Sequence, residues 1–179
     1  ELQPVLLHRG EHFLDDNGSY SCAGAPLFDP QGRCVGMLDL TGIDVPERPE
    51  LRHLVARSAR AMEDALLLQL PHALLLRLNW PGQHLGEDSD GLICLDSDGF
   101  VVGRNRAASD MLAISQDAVR LHCSDLFALP WEHLFDAAQS RRAATEQPLW
   151  SGLRLQVLAS LNGDSAGGRG AGLKDIETA

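Results

Sequence analysis

The sequence predicts an α+β protein: two small antiparallel sheets with flanking helices, joined by a long amphipathic helix. Three stretches carry that prediction. Over 49–70, Leu51, Leu54, Val55, Ser58, Met62, Ala65 and Leu66 recur at helical spacing. Arg52, Arg57, Arg60 and Glu63 take the other side, and a proline stands near the first turn. Ahead of the helix, Ala25-Pro26-Leu27-Phe28 turns through Asp29-Pro30-Gln31-Gly32 into Cys34-Val35-Gly36-Met37-Leu38-Asp39-Leu40. Behind it, Gly91-Leu92-Ile93-Cys94-Leu95 turns through Asp96-Ser97-Asp98-Gly99 into Phe100-Val101-Val102. Both are hairpin patterns, two apolar runs around a Pro/Gly/Asp reversal.

Composition limits what such a chain can be. Its 179 residues, 44% hydrophobic and 22% charged, suffice for one ordinary domain or two small ones. The most apolar segment, 65–78, is interrupted by Gln69, Pro71, His72 and Arg77, so no helical membrane span is expected. Nor does the opening resemble a signal segment, which sets the expectation of a cytoplasmic protein. Cys22, Cys34, Cys94 and Cys123 are widely separated and form no C-x-x-C pair, which argues for free thiols and against a zinc ribbon or a disulfide framework. A formal charge of −10 repels phosphate, so this segment is a poor nucleic-acid binder on its own.

In chain order, 2–7 is apolar enough for a strand or short buried segment, and Asp15-Asp16-Asn17-Gly18 marks a turn. Over 19–27 a strand of small residues follows, leaving room for a close neighbour or for a ligand. The return over 34–40 is apolar at nearly every position, as in a central strand covered on both faces. Pro71 ends the helix, and the run 74–78 is expected to resume it, so that a connecting helical region occupies 49–78. A linker rich in turn formers and acidic residues spans 79–90.

The second unit starts at Gly91. Asn105 caps a short helix whose inner face is Ala107, Ala108, Met111 and Leu112. Short helical turns are expected over 117–121 and 124–127, a better helix over 131–141 with Leu134, Phe135 and Ala138 inward, and a returning strand over 148–161. The Gly- and Ser-rich stretch 162–172 reads as a flexible tether.

The blocks R-G-E-H-F-L, S-C-A-G-A-P-L-F-D-P-Q-G-R, V-G-M-L-D-L-T-G and L-R-H-L-V-A-R-S-A-R-A-M-E-D, in that order over roughly 9–65, resemble the C-terminal half of the GAF domain in the acetoin-catabolism-regulator type of bacterial transcription activators, which are sigma-54-activator-related. Residues 91–161 are similar to a PAS domain, and 173–179 look like the first turns of the Fis-type helix-turn-helix domain that closes such activators. The resemblance implies a cytoplasmic sensor, with a GAF-like half over 1–48, a helix passing the signal onward, and DNA contacted by a helix-turn-helix domain beyond this chain. Two departures stand out. Nothing corresponds to the first half of the GAF domain, and no G-x-x-x-x-G-K-[ST] loop of the family's ATPase domain occurs.

On this reading a small organic effector occupies a pocket around Cys22, Ala23, Asp39 and Thr41, and the helix pairs with its copy in a homodimer. The competing reading is an effector-free module for dimerisation or docking. Asp39 is the one candidate for a buried carboxylate, which either binds the ligand or caps a neighbouring backbone group. His8 and His12 stand four apart with Gly10 between them and read as surface histidines, and His122-Cys123 reads as structural. No C-x-x-C-H haem attachment is present, and the Gly-rich run near the end follows no strand, so no cofactor and no metal are assigned. No nucleophile–base or acid–acid pair can be assembled from spacing, which points away from an enzyme.

Overall fold

The computed structural model describes residues 2–115, 118 and 120–162. The tether from 163 onward, the helix-turn-helix-like end and part of the turn expected over 117–121 lie outside them. The described residues form an α+β arrangement with two antiparallel sheets. The first has strands β1 (Val5–His8), β2 (Tyr20–Phe28) and β3 (Cys34–Ile43) in that spatial order. The reversal between β2 and β3 is the one the sequence predicts: Gly32 has φ +85° and donates its N–H to the Asp29 carbonyl at 2.8 Å.

Helix α1 (Leu51–Leu68) follows, and it lies on β2. Its buried positions are Val55, Ala59, Glu63 and Leu67, one every fourth residue and therefore one stripe. Val55 and Ala59 pack on Ala23 and Ala25, so the small residues of β2 serve close helix–sheet packing. Glu63 departs from the expected pattern. Instead of joining the arginines on the outer side, it lies in the buried stripe and accepts the Phe28 N–H at 2.9 Å.

The apolar run after Pro71 does not resume the helix. It is β4 (Leu74–Asn79), the middle strand of a second sheet whose other members are β5 (Gly91–Leu95), β6 (Val101–Arg104), β7 (Thr145–Pro148) and β8 (Arg154–Leu161), in the order β6-β5-β4-β8-β7. Residues 80–90 connect two paired strands of this sheet, and the strand expected over 148–161 is two strands around a turn.

Both faces of β4 and β5 are covered. Leu74, Leu76, Leu78, Ile93 and Leu95 build the main core with Phe127, Leu134 and Leu155. Leu75, Leu92 and Cys94 point the other way and meet Leu67 of α1. Helices α2 (Arg106–Met111) and α3 (Glu132–Gln139) cover the core face.

Two contacts fix the first sheet to the second. One is α1 itself, packed on β2 by its first half and on β4 and β5 by its last turns. The other is the β2–β3 turn, where Pro30 accepts the Arg104 N–H at 2.9 Å and the Gln31 side chain donates to the Val102 carbonyl at 3.3 Å.

A flank of α1 stays open, with Leu54, Met62 and Leu66 at 54%, 45% and 49% exposure. Strand β3, expected at the centre of a sheet, is an edge strand with Val35, Met37 and Ile43 more than 60% exposed. No helix among the described residues is long and apolar enough to cross a membrane.

Candidate functional site

Register decides which predicted site residues meet. Cys22 pairs with Thr41 and Gly24 with Asp39, so Cys22, Thr41 and Asp39 share the sheet face turned away from α1. Ala23 lies on the opposite face, 1% exposed against the helix, and cannot join them. The three that do meet form a polar row. Thr41 Oγ1 donates to Asp39 Oδ2 at 2.5 Å, Cys22 Sγ lies 3.4 Å from Thr41 Oγ1, and His12 Nε2 lies 3.4 Å from Cys22 Sγ.

Asp39 is exposed rather than buried, because β3 is an edge strand, and its carboxylate takes a side-chain hydroxyl rather than a backbone group. His8 is bonded to Ser21. His122 donates its Nε2–H to the Asp98 carbonyl and accepts the Ser124 N–H at Nδ1, while Cys123 is buried. Among the described residues no three His, Cys, Asp or Glu side chains converge as metal ligands.

A concave site lies elsewhere, where α1, α2 and β2 come together. Two adjoining cavities of about 130 Å³ and about 530 Å³ share Glu63, Arg106 and Asp110 in their walls. Helix α1 contributes Arg52, His53 and Arg60 to the larger one, and α2 contributes Arg106 and Ala107. The Arg106 guanidinium sits 5.4 Å above the centre of the Phe28 ring, a cation–π contact that holds it over the floor. Arg104 lines the smaller cavity but is already engaged, donating to Ser109 Oγ at 3.0 Å and to the Ser115 carbonyl at 3.2 Å.

The carboxyl of Glu63 is pushed up by burial. The Phe28 N–H opposes that shift, and the negative Asp64 next to it adds to it. Asp64 is likewise raised by burial, against the hydrogen bond from Asn105. The signal for Glu63 was present in the sequence: 55, 59, 63 and 67 form a tighter stripe than the apolar set, but a carboxylate inside it is read as surface because carboxylates are rarely buried.

Asn105, in the wall of the smaller cavity, joins α1 to the second sheet. Its Oδ1 accepts the N–H groups of Ala108 and Leu92, each at 2.9 Å, and its Nδ2 donates to Asp64 Oδ1 and to the Asp90 carbonyl, also at 2.9 Å. It is the N-cap expected for α2 and, beyond that expectation, the polar tie between α1 and β5. Asp90, 2% exposed, is held by Asn79 Nδ2 at 3.0 Å and the Gly86 N–H at 2.6 Å.

Comparison with known proteins gives relatives but no family model, since none matches the chain. It is 23% identical over 143 residues to the signal-transduction and transcriptional-control protein of Clostridium beijerinckii, an alignment covering 78% of this chain and 22% of that protein. It is 28% identical over 115 residues to the acetoin catabolism regulatory protein of Cupriavidus necator, covering 62% of this chain and 17% of that one. The chain thus spans about a fifth of the length of these relatives. Among solved structures, the E. coli DhaR(N)-DhaL complex aligns over 90% of this chain and 62% of that one at 16% identity and a TM-score of 0.35. By sequence, then, the chain is a low-identity relative of bacterial regulators of signal transduction and transcription, which are named as regulators and not as enzymes.

Proposed function

We propose that this chain is the ligand-sensing regulatory segment of a bacterial transcription regulator, that it works in the cytoplasm as a homodimer, and that it answers to a small organic effector. DNA is then contacted by a helix-turn-helix domain beyond the described residues. The observation that carries the reading is the position of the cleft. Its walls come from β2, α1 and α2 at once, with Arg104 of β6 at the smaller cavity, so a molecule bound there touches the connecting helix and the elements on either side of it. This favours the cleft over the polar row at Cys22, Asp39 and Thr41 as the effector site. The row lies on an open sheet face and borders neither cavity.

The open flank of α1 supplies the output. Leu54, Met62 and Leu66 lie at helical spacing, and burying them against the same flank of a second copy returns about 1–2 kcal/mol per side chain. An effector that shifts α1 changes that pairing, and about 1–3 kcal/mol of coupling is enough for a useful switch. Sedimentation equilibrium tests the output: the chain is expected to dimerise, and Met62→Glu to make it monomeric. A wild-type chain that stays monomeric at high concentration refutes the proposed relay.

The exposed edge of β3 favours a second reading, an effector-free docking module that recruits a partner by strand addition. Thermal melts separate the two, because an effector raises the melting temperature of a sensor and a docking module gains nothing from small molecules.

A further inference from the structure

We infer that the cleft between α1 and α2 binds a small organic carboxylate that also carries a hydroxyl or amino donor. The inference rests on the reading of the cleft as the effector site and narrows it to a ligand class.

Charge is the first argument. The chain as a whole is strongly acidic, at −10, yet Arg52, Arg60 and Arg106 converge on one cavity from two helices. Among the described residues none of the three makes an ion pair, in contrast to Arg33, Arg57, Arg77 and Arg154. Two carboxylates, Glu63 and Asp110, share the wall, and Glu63 Oε1 is already taken by the Phe28 N–H, so three guanidinium groups face two carboxylates. Arginine forks in excess of the carboxylates around them, and in no direct ion pair, suit planar, bidentate recognition of a ligand carboxylate in a concave site.

The floor supplies the second argument. Only Glu63 Oε1 is occupied by the backbone, and the residue borders both cavities, so the carboxyl group offers an acceptor at the junction of the two. A ligand whose carboxylate lies on the arginines and whose hydroxyl or amino group reaches Glu63 satisfies both walls. It also draws Arg106 of α2 toward Arg60 of α1, the movement that an output through α1 needs.

Calorimetry and thermal melts on the full chain test this with four probes: malate and aspartate, which carry both groups, succinate, which lacks the donor, and 2,3-butanediol, which lacks the carboxylate. Malate or aspartate is expected to bind and to raise the melting temperature, succinate to bind about tenfold more weakly, and the diol to be silent, tenfold being the order of one hydrogen bond to a charged group. Arg60→Gln and Arg106→Lys are expected to weaken binding about tenfold each. Arg57→Gln, at an exposed ion pair with Asp88 outside the cleft, leaves it unchanged.

Both cleft variants alter exposed side chains, so unaltered melts without ligand establish that they fold. Succinate binding as tightly as malate refutes the donor requirement. Binding of the diol with the acids silent overturns the ligand class and leaves the effector reading standing, whereas silence of all four overturns the ligand class and removes the support for the effector reading. Binding that survives both arginine changes places the ligand elsewhere and overturns the inference.

Discussion

Leu67→Ala reads the grip of α1 on the second sheet most directly. Leu67 is 0% exposed and packs on Leu75, Leu92 and Cys94. Truncation removes three carbons, about 2.4 kcal/mol at roughly 0.8 kcal/mol each. A cavity term is added where the walls cannot collapse, and two paired strands and a helix collapse poorly, so the expected total is about 3 kcal/mol. For a chain of this size that is a fall of about 6–12 °C in melting temperature.

The neighbouring Gly103 sharpens the test. A Cβ there would lie 2.6 Å from Leu70 Cδ1, 2.7 Å from Leu67 Cδ1 and 3.0 Å from Pro30 Cβ. Gly103→Ala alone therefore overpacks the junction, by about 1–3 kcal/mol. In the double variant the added methyl enters space vacated by Leu67, so the two losses should fall short of their sum by about 1 kcal/mol. Urea unfolding of the four proteins measures all of this. A loss below about 1 kcal/mol for Leu67→Ala, or strictly additive losses, refutes the packing of α1 on the second sheet as a rigid junction.

Glu63→Gln keeps the acceptor for the Phe28 N–H and removes a buried charge. Because burial raises the carboxyl above its ordinary value of 4.5, the stability that protonated Glu63 contributes is present below that value and lost as pH rises through the folded one. The variant should therefore match the wild type in acid, exceed it at neutral pH, and flatten the profile. Asp64, raised in the same direction, leaves a residual slope, and an unchanged profile contradicts the assignment. Asn105→Ala strands the Leu92 and Ala108 N–H groups and the Asp64 carboxyl, and should lower stability by about 3 kcal/mol in urea melts. Asn105→Asp keeps both acceptor bonds but sets a carboxylate beside Asp64, so its deficit should grow from acid to neutral pH. Burial pushes the Cys94 and Cys123 thiols up to about 11. A disulfide reagent at about pH 8 should thus modify exposed Cys34 first, half-buried Cys22 more slowly, and the other two only on unfolding.

Local chemistry was legible where a short segment determines it. The Asp29–Gly32 reversal, the Asn105 cap and the helix over 51–68 each follow from residues within a turn of one another. What failed was the assignment of apolar runs to places in a sheet. Residues 34–40 and 74–78 read alike as apolar runs, the first predicting a doubly covered strand and the second a resumed helix. The structure gives double cover to the second, because α1 packs on one of its faces and the main core on the other. A short apolar run carries no period that separates strand from helix, and cover depends on elements far away in the chain. The predicted site shows the same division. Alternation correctly puts Asp39 and Thr41 on one face, while the β2–β3 register, which the sequence does not encode locally, sends Cys22 to join them and Ala23 under the helix.

The hydrogen bond from the Arg104 amide to Pro30 makes one proton a gauge of the whole junction. That amide belongs to the border strand of the larger sheet, and its acceptor is borrowed from the smaller one. It can trade with deuterium only when the hairpin tip lets go, so its exchange rate counts how often the two layers part. Any compound that clamps the layers should slow this single site well before it alters the average behaviour of the chain.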